Sequence, residues 1–279
     1  MVQILGILIA LAGLSVLLCA LERLLPSLHW QPLWRRDSQV DVLYWLLTPL
    51  LTRTIVKIVG VTTFLITLAV VDRQVGARLA DGFGPVLIQP LWLMVVEILL
   101  LGDLIGYWTH RWFHSRRMWK FHAVHHSSTQ LDALSSLRVH PINDVISKLA
   151  PALLLACLGF PLKALVGYVS LLTFSAVVLH ANLNWSFGPL RYVIAGPLFH
   201  RWHHTTEEQG LNRNFAPLFP LLDILFGTFH MPNDQRPERF GTNSTEVPAA
   251  FLAQLVFPFR ASAPASSKSR VDASAQSAS

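Results

Sequence analysis

Hydrophobic positions fall in long blocks separated by short polar segments rather than in alternation, a pattern that predicts helices. Residues 4–21 form an 18-residue uncharged run bounded by Glu22 and Arg23, long enough for a membrane-spanning helix. Met1-Val2-Gln3 carries no cation, so this run reads as a retained helix, not a cleaved leader. Residues 40–52 are apolar but too short to cross, and are expected to lie in the interface. A second span is expected over residues 54–71, with Lys57 snorkelling towards the headgroups. The third starts at Pro90, a favoured first-turn residue, and runs through LWLMVVEILLLGDLIGYW. Between residues 149 and 179 two shorter apolar stretches flank Phe160-Pro161-Leu162-Lys163, predicting a helical hairpin with its apex at Pro161. Beyond Gly210 the apolar positions come in short clusters. Residues 261–279 are small and polar and are expected to be disordered.

Composition sharpens this picture. Of 279 residues, 52% are apolar and 14% charged, against about 25% charged in a soluble domain. One membrane-embedded domain over residues 1–260 is expected, all-α, with about four transmembrane helices. The net charge of +6 comes from cations beside hydrophobic runs, which fits positive-inside flanks and argues against nucleic-acid binding. Arg111, Arg116, Arg117, Lys120, Arg138 and Lys148 lie between the third span and the hairpin, and eight more cations follow residue 180. The segment 72–89 has only Arg73 and Arg78. This asymmetry puts the N-terminus outside, residues 22–53 inside, 72–89 outside, and all from about residue 109 inside except the hairpin. Cys19 and Cys157 sit in apolar runs and read as small buried hydrophobes.

Ten of the twelve histidines lie between positions 110 and 204, and eight of them form three tight groups. His110 and His114 make HxxxH; His122, His125 and His126 make HxxHH; His200, His203 and His204 repeat HxxHH 78 residues later. On a helix, residues three and four apart share a face, so each group can aim several imidazoles at one point. A neutral imidazole is a strong ligand for iron, zinc or copper. Eight exceed what one such ion takes, roughly four to six, and suit two. By the topology above, these groups fall on the cytoplasmic side.

Asp103, Tyr107, His110 and His114 follow spacings of four, three and four, one stripe rising from the bilayer into the cluster. Asp103 could therefore accept a hydrogen bond from a ligand imidazole and fix its tautomer, or pair with a nearby cation. Glu97 lies deeper and reads as a protonated or paired structural group. Trp108, Trp112, Trp119 and Trp202 read as interfacial anchors.

The ordered motifs DLIGYWTHRWFH, FHAVHH, RVHP, LHANLNW, FHRWHH and LFGTFHMP resemble the sterol desaturase and fatty acid hydroxylase superfamily of integral-membrane non-haem di-iron oxygenases. The resemblance runs from about Leu91 to Pro232. It implies a bundle of membrane helices capped by a cytosolic helical domain, with two iron ions between them that zinc can replace on purification. It also implies metal-ligand roles for His110, His114, His122, His125, His126, His200, His203 and His204, with His180 as a further ligand. Where fatty acid hydroxylases often carry another histidine, this chain has Asn184, whose carbonyl could bind directly or through water. His140 matches a histidine of the sterol-desaturase branch, as ligand or as support for one. His29 and His230 read as ordinary.

The reaction expected on this resemblance is O2-dependent hydroxylation of an unactivated C–H bond of a lipid, with desaturation of a sterol or acyl chain as the alternative. Both need an oxidant that no side chain supplies. A hydrophobic substrate would enter sideways from the membrane. The chain has no GxGxxG after a strand, no ferredoxin-like cysteine set and no cytochrome b5-like domain. A separate ferredoxin, cytochrome b5-like protein or flavoprotein reductase is therefore expected to deliver electrons. Arg111, Arg116, Arg117 and Lys120 could dock an acidic donor or serve as positive-inside anchors. A bis-histidine haem carrier would leave the two HxxHH groups without purpose. A metal transporter would place ionisable residues along several spans. The Ala/Ser-rich tail and the absence of an ER-return signal favour a bacterial inner membrane.

Overall fold

The computed structural model describes residues 2–29, 31–32, 34–70, 78, 80–233, 235–243 and 245–260. The expected disorder of 261–279, Arg73 and the Lys57 side chain lie outside what is described. Among the described residues all regular structure is helical, apart from single bridges joining Pro26 to Leu183 and Thr205 to Phe240. The helices are α1 (Val2–Leu24), α2 (Ser38–Val70), α3 (Leu91–Phe113), α4 (Trp119–His126), α5 (Pro141–Cys157), α6 (Leu162–His180), α7 (Pro197–His203), α8 (Leu221–Leu225) and α9 (Phe251–Val256).

Two of them, α3 and α6, are long and apolar enough to cross a membrane. Leu91, Trp92 and Leu100 on α3, and Val166 and Phe174 on α6, are exposed. So large an apolar surface suits lipid rather than water. On their inner sides, Ile98 of α3 meets Leu155 and Ala156 of α5 and Leu165 and Tyr168 of α6, with Phe160 at the hairpin bend. The helices approach closely because Gly102 has no side chain; a Cβ there would stand 2.5 Å from the Tyr168 ring.

The hairpin expected around Pro161 is present as α5 and α6, although α5 begins eight residues earlier than the apolar run suggested. His140 and Pro141 supply its start: Pro141 lacks the N–H that a first turn would leave unpaired, and His140 Nδ1 accepts the N–H of Ile142 at 3.2 Å. The bend needs Gly159, whose φ is +98° and whose Cβ position is filled by the Phe83 carbonyl.

Residues 40–52 are not a separate interfacial segment. They are the first half of α2, which at 33 residues rises about 50 Å, with Pro49 inside it. Length was the wrong guide, because a polar stripe on this half is buried against protein. Asp41, Tyr44, Thr48 and Thr52 recur at helical spacing and are all buried. Thr48 Oγ1 donates to the Leu137 carbonyl at 3.4 Å and Thr52 Oγ1 to Asp144 at 2.5 Å. Trp45 Nε1–H donates to the Leu134 carbonyl at 2.7 Å.

The strongest tie lies at the start of α2. Arg35 grips Asp132 through two bonds, at 3.0 and 2.7 Å, and reaches Asp41 at 2.6 Å. Arg138 Nε donates to the other Asp41 oxygen at 2.5 Å. Arg138 is thus buried in an ion network and not a flank cation facing the headgroups, and Arg201 is likewise buried. From α1, the Glu22 carboxylate accepts the N–H groups of Ala133 at 2.9 Å and Asn182 at 2.8 Å. Together these contacts hold the segments that follow α4 and α6. Of the cysteines, Cys157 is exposed on the hairpin and Cys19 is half-buried, so Cys157 is not the buried hydrophobe its run suggested.

Candidate metal centre

Four helices bring their C-terminal ends to one place. His110 lies in the last turn of α3 and His114 caps it; His125 and His126 end α4; His180 ends α6; His200 and His203 end α7 and His204 caps it. A helix C-terminus carries partial negative charge, so this convergence favours cations before any ligand bond is counted.

Nine imidazoles separate into two groups. His110, His114, His122, His126 and His203 form one, and His125, His180, His200 and His204 the other; within each, the candidate ligand atoms lie within 4.8 Å of one another. Each HxxHH motif serves both groups. The first and last histidines, four apart, share a helix face and stay together, whereas the third lies about 100° away from the last. His122 and His126 therefore go one way and His125 the other; His200 and His204 mirror this with His203. The groups adjoin, with the His126 and His204 rings stacked at 4.2 Å.

The protonation pattern is set by what surrounds the rings. Nδ1 of His110, His125, His180 and His203 faces the backbone carbonyls of Phe215 (2.8 Å), Arg138 (3.1 Å), Ala176 (2.7 Å) and Arg213 (2.8 Å). His122 Nδ1 faces Oδ1 of Asn143 at 2.7 Å, while the Asn143 amide donates to Ser147. These oxygens only accept, so each Nδ1 carries the hydrogen and each Nε2 presents a lone pair. Burial holds His122, His125, His126, His200, His203 and His204 well below the ordinary imidazole pKa, and neighbouring imidazoles push them further down. The rings are neutral.

Lone pairs consequently point at lone pairs. His110 and His122 approach Nε2 to Nε2 at 3.1 Å, and His125 and His180 at 3.2 Å. With both Nδ1 atoms protonated, neither pair has a hydrogen to share. Nε2 of His114 is buried with no protein partner. A cation in each group satisfies all of these atoms at once, and an all-nitrogen donor set suits iron or zinc. The residues fit a pair of metal ions.

Three other candidates stand elsewhere. Asp103 touches no imidazole: its two oxygens accept the N–H groups of Leu218 at 2.8 Å and Phe219 at 2.9 Å, because the chain after residue 214 runs back down α3 and brings unpaired backbone donors to its level. His140 belongs to neither group; Nδ1 caps α5, and Nε2–H donates to the Leu255 carbonyl at 3.1 Å. Asn184 is exposed on the strand-like turn after α6, paired through its backbone to Leu25. Trp202 is fully buried among Leu198, Phe199 and Met231, a core residue and not an interfacial anchor. Trp108 and Trp112 are half exposed, as anchors would be. Asn143 escaped the sequence reading, since a lone asparagine in a polar stretch carries no signal of its partner.

The fatty acid hydroxylase family model matches residues 95–228, a span that contains all nine imidazoles and their Nδ1 partners. Residues 95–228 thus carry a fatty acid hydroxylase domain, of the kind found in the sterol desaturase and fatty acid hydroxylase superfamily. The chain is similar to an ornithine lipid hydroxylase of Rhizobium tropici, 33% identical over 61% of this chain and 51% of that protein. It is also similar to an alkylglycerol monooxygenase of Danio rerio, 28% identical over 48% of this chain and 30% of the relative. A very-long-chain aldehyde decarbonylase of Oryza sativa subsp. japonica is 25% identical over 58% of this chain and 28% of its own length. The chain thus spans about half the length of the first relative and under a third of the other two. No solved structure matches it. The two apolar helices, together with the likeness to hydroxylases of this superfamily, point to a membrane protein.

Proposed function

We propose that this chain is a membrane oxygenase that holds two iron ions in its histidine groups and hydroxylates an unactivated C–H bond of a lipid. The observation that carries this reading is the opposed Nε2 lone pairs of His110 with His122 and of His125 with His180. Relatives whose names specify lipid hydroxylation and monooxygenation support the substrate class.

Bound iron would supply the O2-activating oxidant that no side chain provides. The chain contributes the rest. Nine rings fix two adjacent positions, and their Nδ1 partners hold ring orientation and tautomer. The buried shell keeps bulk water from the reacting carbon. The apolar faces of α3 and α6 border the lipid from which an acyl chain or sterol would enter. Electrons come from a separate ferredoxin or cytochrome b5-like protein or its reductase, and exposed Arg116 and Arg117, between α3 and α4, suit an acidic donor. In this reading the protein is multi-pass, with about four spans under a cytosolic helical cap. It sits in a bacterial inner membrane, with the histidine site on the cytoplasmic side.

The test is anaerobic reconstitution with ferrous iron and a chemical reductant, then O2, in the presence of a membrane lipid extract. Mass spectrometry should find a lipid heavier by one oxygen. A product lighter by two hydrogens would make the protein a desaturase, and an unchanged extract would refute oxygenase chemistry.

A further inference from the structure

Residues 214–228 form a closed loop that runs from the metal centre back down the side of α3. Its base is pinned where Asn214 N–H meets the Thr228 carbonyl at 3.0 Å. His110 Nδ1–H donates to the Phe215 carbonyl at 2.8 Å, and one turn further down the Tyr107 hydroxyl meets Thr228 at 2.9 Å. Pro217 lies flush on α3, where a Cβ on Gly106 would come within 2.9 Å of it. Deeper still, Asp103 accepts the N–H groups of Leu218 and Phe219, and Leu218 packs into the core built around Ile98 and Tyr168. His110 to Asp103 is seven residues of helix, a descent of about 10 Å from the metal centre along the span.

Three features of this loop suit a non-aqueous setting. First, most of its backbone donors are satisfied within the protein, as hydrocarbon favours. Phe215 and Ala216 N–H go to the Asp223 carboxylate at 2.7 and 2.8 Å, and Thr228 and Phe229 N–H to the Asp223 carbonyl at 2.7 and 3.1 Å. Prolines at 217 and 220 have no donor to satisfy. Second, its one charged residue, Asp223, is completely buried. Third, the tip presents bare hydrocarbon: Leu221, Ile224 and Leu225 are 61%, 43% and 71% exposed. They lie between two points where the chain is held on α3: Phe219, whose N–H is bound by Asp103, and Phe226, whose ring packs on Tyr107 and Trp108.

We propose that the loop 214–228 is a membrane-inserted anchor whose Leu221, Ile224 and Leu225 tip contacts the acyl chains of the leaflet next to the metal centre. The positive-inside expectation placed everything after the hairpin inside; to this the proposal adds a segment that dips into the adjoining leaflet. It makes Asp103 a positioning residue for the anchor, and through Phe215 it joins leaflet contact to the orientation of the His110 ring. The proposal rests on α3 being a span, and not on which lipid is oxidised.

Site-directed fluorescence separates these claims. In a full-length C19S/C157S background, Leu225→Cys, Ile224→Cys, Leu100→Cys on α3 and Gln209→Cys on the exposed cap are each labelled with an environment-sensitive fluorophore. The proteins are reconstituted into phosphatidylcholine/phosphatidylglycerol vesicles, with retained metal content as the check on folding. Labels at 225, 224 and 100 should show blue-shifted emission and stronger quenching by doxyl lipids than by iodide, with the order reversed at 209. Iodide quenching at 225 and 224 with lipid quenching kept at 100 overturns the anchor and leaves the span. Shielding of 225 and 224 from both quenchers means that protein, such as a second copy, covers the tip, and overturns the anchor. Iodide quenching at 100 as well removes the span, and the anchor with it.

Discussion

His122 and Asn143 are joined by a 2.7 Å hydrogen bond from imidazole Nδ1 to amide Oδ1, across the junction of α4 and α5. Like the longer contact of His114 Nδ1 with Asn212 Oδ1 at 3.3 Å, it depends on a side chain and not on the backbone, so it can be edited. Asn143→Leu should free the His122 ring to rotate and lower metal affinity by about 10- to 100-fold, the usual effect of losing such a partner. Asn143→Asp keeps an acceptor and should retain metal. Iron per protein after dialysis against a graded chelator series distinguishes the two; equal retention by both variants would show that Asn143 does not orient the ring.

Because each HxxHH motif feeds both groups, single substitutions should weaken one position and spare the other. His125→Ala removes a ring from the four-membered group, and His126→Ala one from the five-membered group. Product formation should vanish in both while the protein stays in the membrane. Metal content by plasma mass spectrometry should fall furthest in His125→Ala, since its group has fewer rings to spare. Full loss of both metals in either variant would mean the two positions fill only together.

The buried network around Asp41 makes a stability prediction. Asp41 lies between Arg35 and Arg138, at 2.6 and 2.5 Å, and all three side chains are buried. Asp41→Ala leaves two buried guanidinium groups short of a counter-charge, a change that costs about 3–5 kcal/mol when a buried pair is broken. The thermal midpoint in detergent should drop clearly. Since the Arg138 carbonyl also holds His125, metal content should fall at the same time. An unchanged midpoint would show that the network is redundant.

Gly102 tests the packing of α3 on α6. Ala at this position puts its methyl 2.5 Å from the Tyr168 ring, and overpacking of this kind costs about 1–3 kcal/mol. Helix propensity alone would favour Ala over Gly by up to about 1 kcal/mol, so the sign of the measured change decides which effect wins. Destabilisation is expected, with recovery in the double variant carrying Tyr168→Ala.

What the sequence determined by itself is what local periodicity and composition can carry. Apolar blocks of helical length located α3 and the α5–α6 hairpin, and histidines three and four apart marked α3, α4 and α7 as ligand-bearing helices. The family resemblance rested on those same local patterns. Tertiary structure decided everything that depends on distant segments meeting. His125 and His126 are neighbours in the chain yet serve different groups, because adjacent helix positions diverge in direction. Asp103 shares the helical stripe of His110 and His114 and Asn143 stands in a polar stretch, but nothing local names the partner of either. One received backbone donors from residues 218 and 219, and the other received His122, only once the chain had folded back on itself. The places of His140 and Asn184 were set in the same way: a helix start holds one and a surface turn carries the other. The polar stripe of α2 was hidden because an ion network makes burial favourable where hydropathy alone predicts an interface. A sequence pattern specifies which faces a segment offers; which face meets which is set by the free energy of the assembled chain.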